Sequence, residues 1–226
     1  MPNHIKNKLL IIGSEADVNA VIENCKSIED GKEVAMDFNK IIPMPESLDI
    51  ESSSWLEEGM KYLLERCKPS FIADHDFIAK FEAYPEDRQQ KSIELGRKGL
   101  SNIAQFNTPT WYEWSHKYWG TKWNAYNTNR EGDTITFDTA WNGVPSLMVA
   151  LSAKFPKVEL IYSYADEDTG YNCGRIKITE GQIVTEDYPD GGSNEAYELA
   201  FELRPECSQY YEFVDGKYRY KEEGGE

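Results

Sequence analysis

Little in this chain announces a function, and each shortage closes off a class of chemistry. Its four cysteines, Cys25, Cys67, Cys173 and Cys207, form no Cys-x-x-Cys pair and have no histidine at metal-ligand spacing. A chain of this length needs no disulfide staple, so isolated thiols read as reduced. They place the protein in the cytoplasm and exclude an iron–sulfur cluster. Long apolar runs are missing too. Leu9-Leu10-Ile11-Ile12, behind Lys6 and Lys8, is too short for the core of a secretory signal. Nothing approaches the roughly twenty apolar residues of a membrane helix. Bases are outnumbered, with 24 Lys and Arg against 40 Asp and Glu, a net charge of −16. That field repels phosphate backbones and anionic lipid, so neither nucleic acid nor membrane is expected as a partner. No glycine-rich phosphate loop, nucleophile elbow or His-Glu-x-x-His string occurs, and no cofactor or bound metal is expected.

Apolar and aromatic material is plentiful. The hydrophobic fraction is 40%, with fourteen Tyr and six Trp, enough to bury a sizeable core. The acidity is uneven, because residues 161–226 alone carry ten of the sixteen excess negative charges. Such an end serves solubility, or it forms a face that binds a basic partner or imitates nucleic acid.

Ile5 to Ile12 reads as a strand, Ser14 as the cap of a helix carrying Val18, Val21, Ile22 and Cys25 on one face, and Val34 to Phe38 as a second strand. Residues 5–39 thus predict a βαβ unit. A mainly helical stretch follows. One helix spans Ser53 to Cys67, with Trp55, Leu56, Met60, Leu63 and Leu64 inward. Another spans Pro85 to Ile103, with Ile93, Leu100 and Ile103 keeping the period. Beyond it the pattern turns to strands at Lys122–Asn127, Thr134–Thr139 and Val158–Tyr164, with a helix from Pro145 between the last two. The hairpin Tyr171–Ile178 with Gln182–Thr185, a helix capped by Ser193 or Asn194, and a closing hairpin at Tyr210–Tyr220 complete the chain. From Thr134 onward the order is that of the split βαββαβ arrangement called ferredoxin-like. The expected class is therefore α+β: an antiparallel sheet with a ferredoxin-like C-terminal part, an N-terminal βαβ unit and a helical middle. The expected division is 1–118, 119–220, and a frayed acidic tail at 221–226, with one continuous domain as the alternative.

Several strings together resemble one family. Met1-Pro2-Asn3 leads into the first strand, and Phe38-Asn39-Lys40-Ile41-Ile42-Pro43-Met44-Pro45 follows the first helix. Trp119-Gly120-Thr121-Lys122-Trp123-Asn124-Ala125, Phe137-Asp138-Thr139-Ala140-Trp141 and Leu151-Ser152-Ala153-Lys154-Phe155-Pro156 come after. In this order they resemble the YubB family of plasmid-, phage- and island-borne bacterial proteins. His4 and Ile5 stand where that pattern would give Trp-Cys. The resemblance implies the ferredoxin-like fold and an origin on a mobile genetic element, and it brings no catalytic residue with it.

Two groups of residues are candidates for function. Between Trp111 and Trp123 aromatics are dense. They are either packing or a cleft floored by Trp111, Trp114, Trp119, Trp123 and Trp141, with Glu113, His116 and Lys122 as its polar groups. Ser115 beside His116 points away from it on a helix, so the two form no hydrolytic pair. His75 between Asp74 and Asp76 is a solvated turn or a partial metal ligand set. At the acidic end, Asp166, Glu167, Asp168, Glu186, Asp187 and Asp190 gather as a face for a partner or as solvated turn acids, and their spacing is not that of a calcium loop. Two functional classes follow. One is a non-enzymatic acidic interaction protein whose partner is a basic host or element protein. The other is a small-molecule-binding or enzymatic domain using the segment 111–123.

Overall fold

In the computed structural model, which describes residues 3–221, the first strand does not stay with its neighbours in sequence. Strand β1 (His4–Ile12) alternates buried and half-buried residues along its length. Helix α1 (Glu15–Cys25) follows, capped by the Ser14 hydroxyl accepting from Asp17 N and burying Val18, Val21, Ile22 and Cys25 as expected. The second strand of the expected βαβ unit is not there. Short strands β2 (Ser27–Glu29) and β3 (Lys32–Val34) pair antiparallel with each other, and Phe38–Lys40 is a 3-10 turn. The reason lies in Asp30 and Gly31, both at positive φ (48° and 76°). They make the tight turn of a hairpin, so the chain folds back on itself before Val34.

Contacts divide the chain into two units, residues 1–43 with 118–226, and residues 44–117. The second is helical: α2 (Ser54–Cys67), α3 (His75–Glu82), α4 (Glu86–Phe106) and the start of α5 (Trp111–Tyr118). The buried face of α4 is Ser92, Leu95, Gly96, Gly99 and Asn102, whereas Ile103 of the expected apolar face is exposed. On α2, Leu56 and Gly59 are buried but Leu64 is exposed. The apolar period misleads because glycines set this crossing. A Cβ on Gly59 would lie 1.8 Å from Ser92 O, so backbone meets backbone there.

The other unit holds a six-stranded sheet. Its later elements are β4 (Tyr126–Glu131), β5 (Thr134–Ala140), α6 (Pro145–Lys154), β6 (Glu159–Asp166), β7 (Cys173–Thr179), β8 (Gln182–Asp187) and α7 (Asn194–Leu203). Strand order is β4-β5-β1-β6-β7-β8, with β1 antiparallel to both β5 and β6. The split arrangement is therefore β1-α1-β4-β5-α6-β6, and β7–β8 extends it along one side. The α+β class, the antiparallel sheet and the ferredoxin-like region stand. The membership of the split unit is corrected, since its first strand comes from residues 4–12. The closing hairpin, β9 (Tyr211–Val214) and β10 (Lys217–Tyr220), forms a separate two-stranded sheet. The expected strand at Lys122–Asn127 is also corrected, because regular pairing starts only at Tyr126. Residues 222–226 of the expected tail lie outside the described residues.

One sheet face is core. Leu9, Ile11, Ile135, Phe137, Leu160, Tyr162, Ile176 and Ile178 are buried. Helices α1 and α6 cover this side, with Val144, Leu147, Met148 and Leu151 of the α6 segment buried. A polar knot sits inside it. The Tyr162 hydroxyl donates to Asn7 Oδ1 (2.5 Å) and accepts from Val144 N (2.7 Å), while Asn7 Nδ2 donates to Ile5 O and Thr139 Oγ1 (both 2.9 Å). Each buried polar atom of this knot has a partner, as a low-dielectric interior requires. On the opposite face α7 covers one end only, through Ala165, Cys173, Ala196, Leu199, Ala200 and Leu203.

Candidate functional site

Register places the cations of the sheet. Lys6 and Lys8 alternate with buried Ile5, Asn7 and Leu9, so they project to the face that α7 leaves partly open. Lys8 stands opposite Thr136 and Ser163, and Ser163 opposite Arg175. A groove of about 380 Å³ there is lined by Lys6, Lys8, Glu131, Thr134, Thr136 and Glu202. The cations of this face are paired from within. Lys6 pairs with Asp138 at 3.2 Å, Lys8 and Arg175 both pair with Glu202, and Lys177 pairs with Glu159 at 2.7 Å. Burial alone would raise the Glu202 carboxyl, but the hydrogen bond from Arg175 and the charges of Arg175 and Lys8 hold it below its usual range.

The acidic residues at the end of this sheet are arranged differently. Asp166, the last residue of β6, is only 4% exposed. Its carboxylate accepts from Asn3 Nδ2 (3.0 Å), Asp168 N (3.0 Å) and Asn172 Nδ2 (2.7 Å). It shapes the following loop and is removed from the expected face, because its oxygens are already spent on these donors. The loop it shapes carries Glu167 and Asp168 outward. Gly192 N donates to Gly170 O at 2.8 Å, tying the loop 167–172 to the loop after β8. Gly170 has a positive φ of 85°, and a Cβ on it would lie 2.7 Å from the Tyr197 ring, so both backbone and packing demand glycine. Asp187, opposite Arg175 in the ladder, ends β8, and Asp190 lies in the tied loop. Glu167, Asp168, Glu186, Asp187 and Asp190 are therefore exposed at one end of the sheet. Among the described residues none of the five has a lysine, arginine or histidine within ion-pair distance.

The residues of the expected tryptophan-floored cleft are divided. Trp111, Glu113, Trp114 and His116 lie on α5 in the helical unit. There Glu113 accepts from the Thr110 hydroxyl (2.6 Å), and His116 Nδ1 donates to Tyr112 O (2.7 Å). Trp119, Lys122, Trp123 and Trp141 belong to the sheet unit. Trp119 is buried, donates its indole N–H to Ile42 O (2.9 Å) and meets Phe38 edge-on, so its ring is core. Lys122 lies over two rings, Trp123 at 4.7 Å and Trp141 at 5.1 Å, a cation–π contact with each. Trp141 holds a positive φ of 70°, pinned by Trp141 N donating to Asn3 O and Asn172 Nδ2 donating to Trp141 O. His75 opens helix α3 and bonds through Nε2 to Ser70 O (2.7 Å), while Asp74 caps the same helix. Among the described residues no three His, Cys, Asp or Glu come together as a metal site. The four cysteines are free thiols.

Two features escaped the sequence reading. One is the ion-paired cation row on the open sheet face, whose signal was the alternation of Lys6 and Lys8 with buried neighbours. The other is His4, whose Nδ1 lies 2.6 Å from the Tyr126 hydroxyl. Burial, with the negative charges of Asp138 and Glu167, pushes that hydroxyl up to about 12.

Comparison with known proteins bears on the fold. Among the described residues no helix is long and apolar enough to cross a membrane. No curated protein matches the chain. A crystal structure of protein Api92 from Yersinia pseudotuberculosis aligns over 84% of this chain and 99% of its own, at 14% identity and a TM-score of 0.38. Residues 118–204 match the family model described as "Ferredoxin-like domain in Api92-like protein". The matched segment begins after β1, so the ferredoxin-like sheet it covers takes a central strand from outside the match.

Proposed function

We propose that the protein is a non-enzymatic interaction module that holds a basic partner protein against the acidic end of its sheet. The observation that carries this reading is the contrast between its two sets of charges. The cations of the open face are each ion-paired to an acid of the same unit, Lys8 and Arg175 sharing Glu202, whereas among the described residues none of the five exposed acids of the sheet end has a cation within ion-pair distance. Like charges gathered at one end of the sheet repel one another within the chain, and a complementary partner relieves that cost. The resemblance to the YubB family supports placing the protein on a mobile genetic element, with a host or element protein as the partner. Free thiols and the net charge of −16 support a cytoplasmic setting without nucleic acid.

The test is capture from bacterial lysate at low and high salt, with the wild type beside two charge-reversed variants. These are Glu167→Lys with Asp168→Lys, and Glu186→Lys with Asp187→Lys. Exposed charges are screened over about 8 Å at physiological ionic strength, so capture of the basic partner should fall steeply with salt. It should be lost in both variants at an unchanged melting temperature. A partner retained by both variants at high salt would overturn the reading.

A further inference from the structure

The two edges of the sheet are finished differently. At β4 the outer side is occupied: Ala35 N donates to Thr128 Oγ1 at 2.9 Å, and Phe38 N donates to Asn124 Oδ1 at 2.8 Å just before the strand. At β8 nothing in the described structure pairs on the outer side, and all six residues from Gln182 to Asp187 are exposed. Ile183 is 42% and Val184 57% exposed, and Tyr188, directly after the strand, is 47% exposed. An open edge offers a row of backbone donors and acceptors to another strand.

This edge is firmly held. The turn before it has Glu180 and Gly181 at positive φ (52° and 71°), the geometry of a tight hairpin. Gly181 N donates to Ser152 Oγ at 3.1 Å, and a Cβ on Gly181 would lie 2.8 Å from that of Ala153, so the turn is seated on α6. The ladder shifts register between Lys177 and Ile178, which leaves Val184 as the extra residue of a bulge. Regular pairing then runs from Thr185 to Asp187. Glu186 and Asp187 sit on opposite faces of that stretch, so an added strand meets an acid on each side.

Resting on the acidic-end reading above, we infer that β8 receives an extended segment of the basic partner as a seventh strand. That segment carries two adjacent basic residues opposite Glu186 and Asp187, and apolar residues opposite Val184 and Ile183. Charge selects this occupant. Opposite charges across a strand pair stabilise it and like charges oppose it. A second copy of this chain would bring its own −16 and its own Glu186 and Asp187 to the contact. Strand addition supplies main-chain hydrogen bonds for affinity, while the side chains at alternate positions set specificity.

The test uses the intact protein and three capped hexapeptides. The first is Lys-Lys-Thr-Val-Val-Thr, ordered for antiparallel addition. The second replaces both threonines by proline, keeping the charge but removing two backbone donors and the extended pairing. The third replaces both lysines by glutamate. The first should bind about tenfold or more tighter than the second, the difference a few main-chain hydrogen bonds make. Amides of β8 should slow in hydrogen exchange, and the glutamate peptide should not bind. Equal affinity for the lysine peptides, or shifts confined to Glu167, Asp168 and Asp190, overturns strand addition and leaves the acidic-end reading intact. Binding of the glutamate peptide as tightly as the lysine peptide overturns both. Absence of binding by all three overturns strand addition, and the acidic-end reading is then judged by the charge-reversal experiment alone.

Discussion

Replacing Gly96 by alanine should destabilise the helical unit even though alanine is the better helix former. In an open helix the exchange gains about 1 kcal/mol. Here the added Cβ would lie 2.4 Å from the Gly59 carbonyl carbon, 2.6 Å from Met60 N and 2.8 Å from Gly59 O. All three are backbone atoms, so no rotamer relieves the clash and α2 and α4 must separate. Overpacking costs about 1–3 kcal/mol and occasionally more. Separation also uncovers Leu56 and Leu95, now 2% and 8% exposed, at about 25 cal/mol for each Å² of apolar surface returned to water. The costs outweigh the helical gain, and a net loss of about 2 kcal/mol is expected. Gly99 is the control on the same helix, because its Cβ would meet Met60 Sδ at 2.8 Å and Leu56 Cδ1 at 3.0 Å. These are ends of flexible side chains, so Gly99→Ala should stay within about 1 kcal/mol of wild type. Urea unfolding should be paired with hydrogen exchange of the α2 and α4 amides, since two units need not melt together. A Gly96→Ala protein as stable as wild type, or a Gly99→Ala protein more damaged than it, would refute the reasoning.

Two further outcomes follow from the sheet unit. Leu151 of α6 is fully buried, so Leu151→Ala should cost about 2–5 kcal/mol by opening a cavity, read as a lowered urea midpoint; an unchanged midpoint would show that the α6 face is not core. Burial pushes the Cys25 thiol up from 9.0 to about 12, and burial also raises the Tyr162 hydroxyl well above its ordinary value. The folded state then holds these protons more tightly than the unfolded chain. Their contribution is full below about pH 9 and is lost as pH rises through the folded values, with a slope of up to about 1.4 kcal/mol per pH unit for each group. Urea midpoints measured from pH 9 upward should fall, and Cys25→Ala should flatten part of the slope; a flat profile in the wild type would contradict it.

Local pattern carried much of the fold. The spacing of Val18, Val21, Ile22 and Cys25 gave α1, Pro145 and the leucines after it gave α6, and Ser193 gave the start of α7. What failed was what depends on distant residues. Nothing in the string around Ile5 to Ile12 says that its partners are Thr134–Ala140 and Glu159–Asp166 rather than the segment after α1. The buried face of α4 was missed because Gly96 and Gly99 contribute no hydrophobicity, only closeness. At the sheet end the acids were visible by charge, but Asp166 differs from Glu167 only in where Asn3 and Asn172 bring their amides. The openness of β8 was not legible either, because whether a strand is an edge is settled by topology and not by its own residues.

The interior position of β1 has a consequence for how the chain reaches its fold. Leu10 pairs with Thr134 and His4 with Ala140, contacts spanning well over one hundred residues. Closing such long loops is entropically costly and slows folding relative to the local contacts of α2 and α4. During synthesis at about 5–20 residues per second, β1 is complete some 6–25 seconds before β5 emerges to pair with it. For that interval Leu9, Leu10, Ile11 and Ile12 form a strand-prone segment with both edges unoccupied. Lys6 and Lys8 stand in the same strand, and positive charge of this kind opposes premature association with another nascent strand. The lysines that end in ion pairs on the finished sheet thus also serve the chain before the sheet exists.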